Sequence, residues 1–243
     1  MKTYQIHFIR HGIIEGNIKG QYIGSTDSPL SAFGAEKIKA LVSSSDYPNA
    51  NAFFTSPMRR CRETLSLIYP SANQIVIDGL RECCFGEFEG YTAKELEGNK
   101  DFAEWISGGG VDAPPGGESA AQFSKRIFEA FELIVNGLIK TGTTSSVIVT
   151  HAGVIMSILA NYGLPKAPMT DWIMENGCGY SCRIHPQLWT SGKVMEVYDV
   201  IPNARAADTD EEQQRLLDAG RQAAHKASSS DLSSFGEGEQ EEE

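Results

Sequence analysis

The chain has 243 residues, 41% hydrophobic and 22% charged, ordinary values for a folded domain with a sizeable core. Its formal charge of −11 argues against a nucleic-acid surface, and its longest apolar runs, 146–150 and 154–160, are too short to span a bilayer. Five cysteines, with Cys83 and Cys84 adjacent, argue against a disulfide framework, and Cys178 with Cys182 is only half a zinc site, so no metal is expected.

The opening MKTYQIHFIR lacks the long apolar core of a secretory signal, which makes the cytosol the expected compartment. Residues 3–9, TYQIHFI, read instead as a buried strand that runs into Arg10, His11 and Gly12. Such an ending is either a solvated strand end or an anion site. Helical spacing follows in GAEKIKALVSS (34–44), then a strand in NAFFT (51–55). Ser56 is predicted as the N-cap of the next helix and Pro57 as its first residue, with the helical pattern running over 58–69. Of Arg59, Arg60 and Arg62 near that helix start, one is expected to face the strand ends and the other two to be solvated.

QIVI (74–77) reads as a further strand and leads into LRECCFGEFEG. Glu82 lies there in an apolar stretch, whereas Glu87 and Glu89 read as exposed loop acids. A Gly/Pro-rich segment, 107–119, closes an excursion over 86–117, in which Trp105, with Tyr22 and Phe85 from outside it, is a candidate substrate contact that core packing could equally claim. The longest helix is expected at 118–140, with Phe123, Ile127, Phe131 and Ile134 on one face and Glu118 and Ser119 as caps or braces at its start. SVIVT (146–150) suits a strand buried on both sides and ends at His151, Ala152 and Gly153, where another helix begins. GYSCRI (179–184) and KVMEVYDV (193–200) are expected as edge strands. From Ala206 onward eleven acids face three bases: a capping-box pattern, Thr209 with Glu212, predicts a helix within 206–227, and 228–243 has too little apolar content to fold. Alternating strands and helices over 1–205 predict one α/β domain, a three-layer sandwich around a mostly parallel sheet.

In open α/β sheets, ligands bind beyond the carboxyl ends of the strands, where Arg10, His11 and His151 all emerge. Gly12 would let the backbone turn and approach a ligand. Arg10 and Arg60 are permanently charged forks suited to phosphate oxygens. A carboxyl such as Glu82, in apolar surroundings beside a phosphate, would hold its proton and suit general acid catalysis.

Four ordered motifs carry a resemblance to the histidine phosphatase superfamily, the phosphoglycerate mutase-like fold. They are RHG followed by Asn17 and YIGSTDSPLSAFG (22–34); Ser56, Arg60 and Thr64; LRE with FGEFEG; and VTHAG. The similarity covers about residues 3–200 and not the acidic end. It implies that His11 is the nucleophile that becomes phosphohistidine, that Arg10, Arg60 and His151 hold the phosphoryl oxygens, and that Glu82 is the proton donor. It also implies substrate contacts at Asn17, Ile23, Gly24 and Ala152, and no cofactor. Ile13 and Ile14 depart from the family, which usually carries a polar or acidic residue and then threonine or serine there. The implied activity is metal-independent hydrolysis of a small phosphate ester, such as alpha-ribazole phosphate or a sugar phosphate. Only 69 positions separate Glu82 from His151, a short gap that resembles the small phosphatases, especially the alpha-ribazole phosphatase type, more than the glycolytic mutases. A phosphoglycerate mutase and a non-catalytic phospho-ligand binding protein remain the alternatives.

Overall fold

The structure, a computed structural model, describes residues 2–204; the helix expected within 206–227 and the stretch 228–243 lie outside the described residues. Strands form at β1 (Tyr4–Arg10), β2 (Ser45–Asp46), β3 (Ala52–Thr55), β4 (Gln74–Val76), β5 (Ser145–Thr150), β6 (Gly163–Leu164), β7 (Gly179–Ile184) and β8 (Met195–Ile201). Helices occupy α1 (Glu15–Lys19), α2 (Ala32–Ser44), α3 (Arg59–Ile68), α4 (Lys100–Ser107), α5 (Ala120–Thr141), α6 (Ala152–Tyr162) and α7 (Pro186–Gly192).

Seven strands make one sheet in the order β4-β3-β5-β1-β7-β8-β6. The first four run parallel to one another, β7 is antiparallel to both β1 and β8, and β6 runs parallel to β8, giving a mostly parallel α/β sheet. Register decides the rest. Arg10 at the end of β1 pairs with Thr150 at the end of β5, so the residues that follow, His11 and His151, leave the sheet side by side.

Alternation along β1 explains the layers. Ile6 and Phe8 pack with Phe123, Ile127, Phe131 and Ile134 of α5 and with Ile155 and Ile158 of α6. Ile9 faces the other way, joining Val147 and Val149 of β5 against Ile38 of α2 and Cys61 and Leu65 of α3. Helix α5 is the best delimited: Ser119 caps it in a capping box with Gln122, and Gly142, at φ +71°, ends it in the left-handed conformation. Among the described residues no helix is long and apolar enough to cross a membrane.

Two expectations about elements are corrected. Neither GYSCRI nor KVMEVYDV is an edge strand: β7 lies between β1 and β8, with Tyr180, Cys182 and Ile184 buried in the larger core, β8 lies between β7 and β6, and the edges fall to β4 and the two-residue β6. Nor does Ser56 cap α3. The chain bends at Pro57 and Met58, Met58 takes the N-cap position without a side-chain bond, and the helix begins at Arg59. Ser56 is drawn instead toward His151, as described below.

The 86–117 excursion contains α4 and a core of its own. Phe88, Leu96 and Phe102 are buried, and Tyr22, Phe85 and Trp105 pack against them. The Tyr22 ring lies 5.4 Å from Phe85 and 5.9 Å from Trp105, edge-on to the latter, so these aromatics satisfy one another. Packing engages all three, and each stays partly exposed.

Candidate active site

His11 and His151 have ring centroids 5.2 Å apart, at 65° to one another. His11 Nδ1 lies 2.7 Å from the carbonyl oxygen of Gly12, which can only accept. Nδ1 therefore carries the proton, and Nε2 is left with a free lone pair. Burial, reinforced by the Arg60 and Arg10 charges, lowers the His11 pKa to about 3 despite the opposing Gly12 bond, so the imidazole is neutral at physiological pH. A neutral imidazole with its Nε2 lone pair free can act as a nucleophile.

Arg60 is buried, and each nitrogen of its fork has a partner. Nη2 donates to Gly24 O and Nη1 to Thr26 O, both at 2.7 Å, while Nε donates to His151 Nδ1 at 3.3 Å. Because a guanidinium has no acceptor, His151 Nδ1 must be unprotonated, and its Nε2–H donates to Ser56 Oγ at 2.8 Å. Burial first, then His11 and Arg60, hold the His151 pKa well below its ordinary value.

Arg10 donates from Nη1 to Met174 O at 2.8 Å, yet its Nε is buried without a partner. An unpaired buried donor on a cation is costly, and an anion oxygen would satisfy it.

Glu82 completes the cluster. Cys83 N donates to its Oε1 and Gly153 N, at the start of α6, to its Oε2, both at 3.1 Å. Burial raises its pKa, opposed by those two bonds and by the Arg60 and Arg10 charges. An arrangement of two imidazoles, two guanidiniums and a carboxyl whose pKa is raised suits phosphoryl transfer, which needs positive charge around the phosphoryl oxygens and a proton for the leaving group.

The model of the histidine phosphatase superfamily, branch 1, matches residues 6–196. The chain belongs to that superfamily. Among curated relatives, "Putative phosphoserine phosphatase 2" of Hydrogenobacter thermophilus is 30% identical over 182 residues, covering 70% of this chain and 90% of its own length. The adenosylcobalamin/alpha-ribazole phosphatase of Salmonella typhimurium is 26% identical over 179 residues, 72% of this chain and 87% of that protein. The alpha-ribazole phosphatase of Shigella flexneri superposes with a TM-score of 0.69 over 83% of this chain and 97% of its own, at 23% identity, a likeness of fold alone.

The histidine phosphatase frame explains how remote side chains meet. Thr64, one turn into α3, accepts from Gly12 N at 2.9 Å and donates to Arg60 O at 2.6 Å, tying the RHG loop to the helix that carries Arg60. Gly12 is required for space rather than for a special turn: its φ is not positive, but a Cβ there would stand 2.9 Å from Ile38 Cγ1 and 3.0 Å from Leu30 Cδ2. From the far side, Asn176 donates to His11 O and Gly177 N to Arg10 O, each at 2.9 Å. Arg126 donates to Gly79 O and Arg81 O at 3.0 Å and grips both carboxylate oxygens of Glu118, so Glu118 and Arg126 together brace the loop that presents Glu82.

Of the remaining candidates, Gly24 contributes its carbonyl to Arg60, and Asn17 turns its amide oxygen to Ile14 N at 3.2 Å, capping α1. Ile23 packs over Gly16, where a Cβ would be 2.4 Å from Ile23 Cγ1, and Ala152 is the first residue of α6. Ile14 is buried at the start of α1. Arg59 pairs with Glu63 at 3.1 Å and Arg62 is exposed.

Glu89 corrects the reading of it as an exposed loop acid. It is half-buried and accepts from Ser25 N at 2.6 Å, Thr26 N at 2.7 Å, Phe85 N at 3.1 Å and both Ser25 and Thr26 hydroxyls. Burial pushes its pKa up, but these bonds win and hold it below the ordinary carboxylate range. Its anion thereby shapes the 24–26 loop whose carbonyls orient Arg60. Gly153 was also missed: a Cβ there would fall 2.5 Å from Glu82 Oε1, so any larger residue would push the carboxyl from its place against α6. The signal was the second small residue after His151, legible as a helix start but not as a contact.

Proposed function

We propose that this protein is a metal-independent phosphatase of small phosphorylated metabolites that works through a phosphohistidine on His11. The observation that carries the assignment is the convergence of a neutral His11, with its Nε2 lone pair free, and an unpaired Arg10 Nε with Glu82, a partly buried carboxyl whose pKa is raised. His11 Nε2 attacks phosphorus in line, forming a P–N bond as the ester P–O bond breaks. Arg10 and Arg60 carry the charge on the phosphoryl oxygens, and the neutral His151 reaches one of them by turning its Nε2–H from Ser56 Oγ. Glu82 gives its proton to the departing alkoxide, then takes one from the water that splits the P–N bond, returning His11 and releasing inorganic phosphate.

One observation favours hydrolysis over mutase chemistry, and a second favours a compact, polar ester. The curated relatives above carry phosphatase names. The cavity of about 420 Å³ beside Glu82 is lined by Ser25, Arg81, Cys84, Gln122 and Arg126, groups that suit a small polar alcohol better than a large aromatic one. Sugar phosphates and phosphorylated hydroxy acids fit that description. Five free cysteines suit a reducing compartment such as the cytosol.

The test is to trap the intermediate. Wild-type protein mixed with p-nitrophenyl phosphate and quenched in alkali should yield acid-labile, alkali-stable phosphate on His11, and His11→Ala none. A metabolite panel should then show release of inorganic phosphate. Turnover surviving in His11→Ala would overturn the nucleophile, and isomerisation of 3-phosphoglycerate outrunning its hydrolysis would replace the phosphatase with a mutase. Binding of phosphate esters without trapped phosphate or turnover would make the chain a non-catalytic receptor.

A further inference from the structure

Two thiols follow Glu82 directly, and the chemistry above uses neither. Cys83 and Cys84 are free and partly exposed. Side chains of consecutive residues in extended chain diverge, yet both of these reach one loop. Cys83 Sγ lies 3.7 Å from the carbonyl oxygen of Glu118, and Cys84 Sγ lies 3.8 Å from that of Gly116. The backbone holds the arrangement: Glu118 N donates to Cys84 O at 2.9 Å, and a Cβ at Gly117 would fall 2.6 Å from the same oxygen. Cys84 also lines the cavity shared with Glu82 and stands 3.4 Å from Ser25 Oγ.

The chemistry of the pair narrows its ligand. Burial, with the Glu118 and Glu82 carboxylates adding to it, pushes the Cys83 thiol up to about 12, so it is protonated at physiological pH and a poor nucleophile toward alkylating reagents. A ligand that captures both sulfurs at once by condensation is favoured instead.

We propose that Cys83 and Cys84 form a two-sulfur site for a trivalent, thiophilic centre of the aryl arsenoxide class, and that filling it shuts the adjacent phosphate site. Capture is a condensation without redox change. Two arsenic–sulfur bonds replace the arsenic–oxygen double bond, both thiol protons leave with the oxygen as water, and arsenic stays trivalent. The ring so formed spans the Cys83–Cys84 peptide. Cys83 N is a donor to Glu82, and Cys83 O lies against Gly24, where a Cβ would fall 1.7 Å from it. Gly24 O in turn anchors Arg60. Reorienting that peptide displaces Cys83 O from the Gly24 turn that anchors Arg60 and shifts Cys83 Cα, which carries the preceding N–H that holds Glu82, while the aryl group fills the cavity. The capture stands on the thiols alone; its effect on turnover rests on the phosphatase reading.

The probe is phenylarsine oxide, with intact mass and p-nitrophenyl phosphate turnover as separate readouts, each variant referred to its own untreated rate. Wild type should gain one phenylarsenic group, retain it in excess glutathione, lose it to 2,3-dimercaptopropanol, and fall at least tenfold in turnover while it is bound. Cys83→Ser, Cys84→Ser and the double variant should retain no adduct in glutathione and keep their rates. An adduct that survives glutathione in the double variant, or one that glutathione strips from wild type, overturns the site. A stable wild-type adduct with unchanged turnover overturns the coupling. Protein that takes the adduct but never hydrolyses any phosphate ester overturns the phosphatase assignment instead and leaves the capture standing.

Discussion

Replacing Gly153 by alanine separates the placement of the Glu82 carboxyl from its chemistry. The added methyl would stand 2.5 Å from Oε1, 3.2 Å from Cδ and 3.3 Å from Oε2, against an ordinary contact of 3.4–4 Å. The carboxyl must therefore withdraw by about 1 Å, weakening its bond from Gly153 N, and a misplacement of that size costs about 10²-fold in rate. Gly153 is the second residue of α6, where alanine is the better helix former by up to ~1 kcal/mol, so the fold should hold or gain stability. The assay is phosphoenzyme formation across esters of graded leaving-group pKa. Alkyl phosphates should slow about 10²-fold in Gly153→Ala, and p-nitrophenyl phosphate, whose leaving group departs without a proton, by less than about threefold. Equal losses for both ester classes, or alkyl ester rates within twofold of wild type, would refute Glu82 as a positioned proton donor.

Three other outcomes follow from the same geometry. Arg60→Lys keeps the charge but cannot span Gly24 O, Thr26 O and His151 Nδ1 at once; with ~1.5–3 kcal/mol for each charge-assisted bond lost, kcat/KM should fall at least tenfold, and a change below threefold in steady-state kinetics would contradict the fork's role. Glu89→Gln leaves the catalytic groups untouched but loosens the 24–26 loop, so KM should rise more than kcat falls; an unchanged KM would return Glu89 to an ordinary loop acid. Acid should destabilise the fold early. Burial lowers the pKa of His11 to about 3 and, partly offset by Asp199, that of His7 to about 4 from an ordinary 6.5, so between those limits only the unfolded chain binds these protons. The stabilisation is complete above pH 6.5 and declines as pH falls, by up to ~1.4 kcal/mol per unit per histidine, which urea midpoints at pH 7.5 and 5 should reveal. His7→Asn should flatten that decline, and midpoints that coincide would show these histidines to be accessible.

Sequence alone determined the alternation of strands and helices and the identity of the chemical groups, because both are local. Apolar runs such as SVIVT mark a strand covered on both faces, and two such strands that each end in an imidazole point to a ligand where either one alone would not. The α5 boundaries were legible for the same reason: periodicity, the Ser119 capping box and Gly142 all act within a few residues. Tertiary structure decided everything that depends on distance. The β1–β5 register brings His11 to His151, and no local pattern encodes register between strands 140 residues apart. It claimed Ser56 for His151 rather than for a helix cap, placed β7 inside the sheet, and turned Glu89 from a solvated acid into the organiser of a loop 63 residues away in sequence. A polar side chain takes whichever partner the fold presents, so its type can be read from the chain but its partner cannot. Gly153 makes the point most sharply: its lack of a side chain has no meaning until Glu82 is beside it.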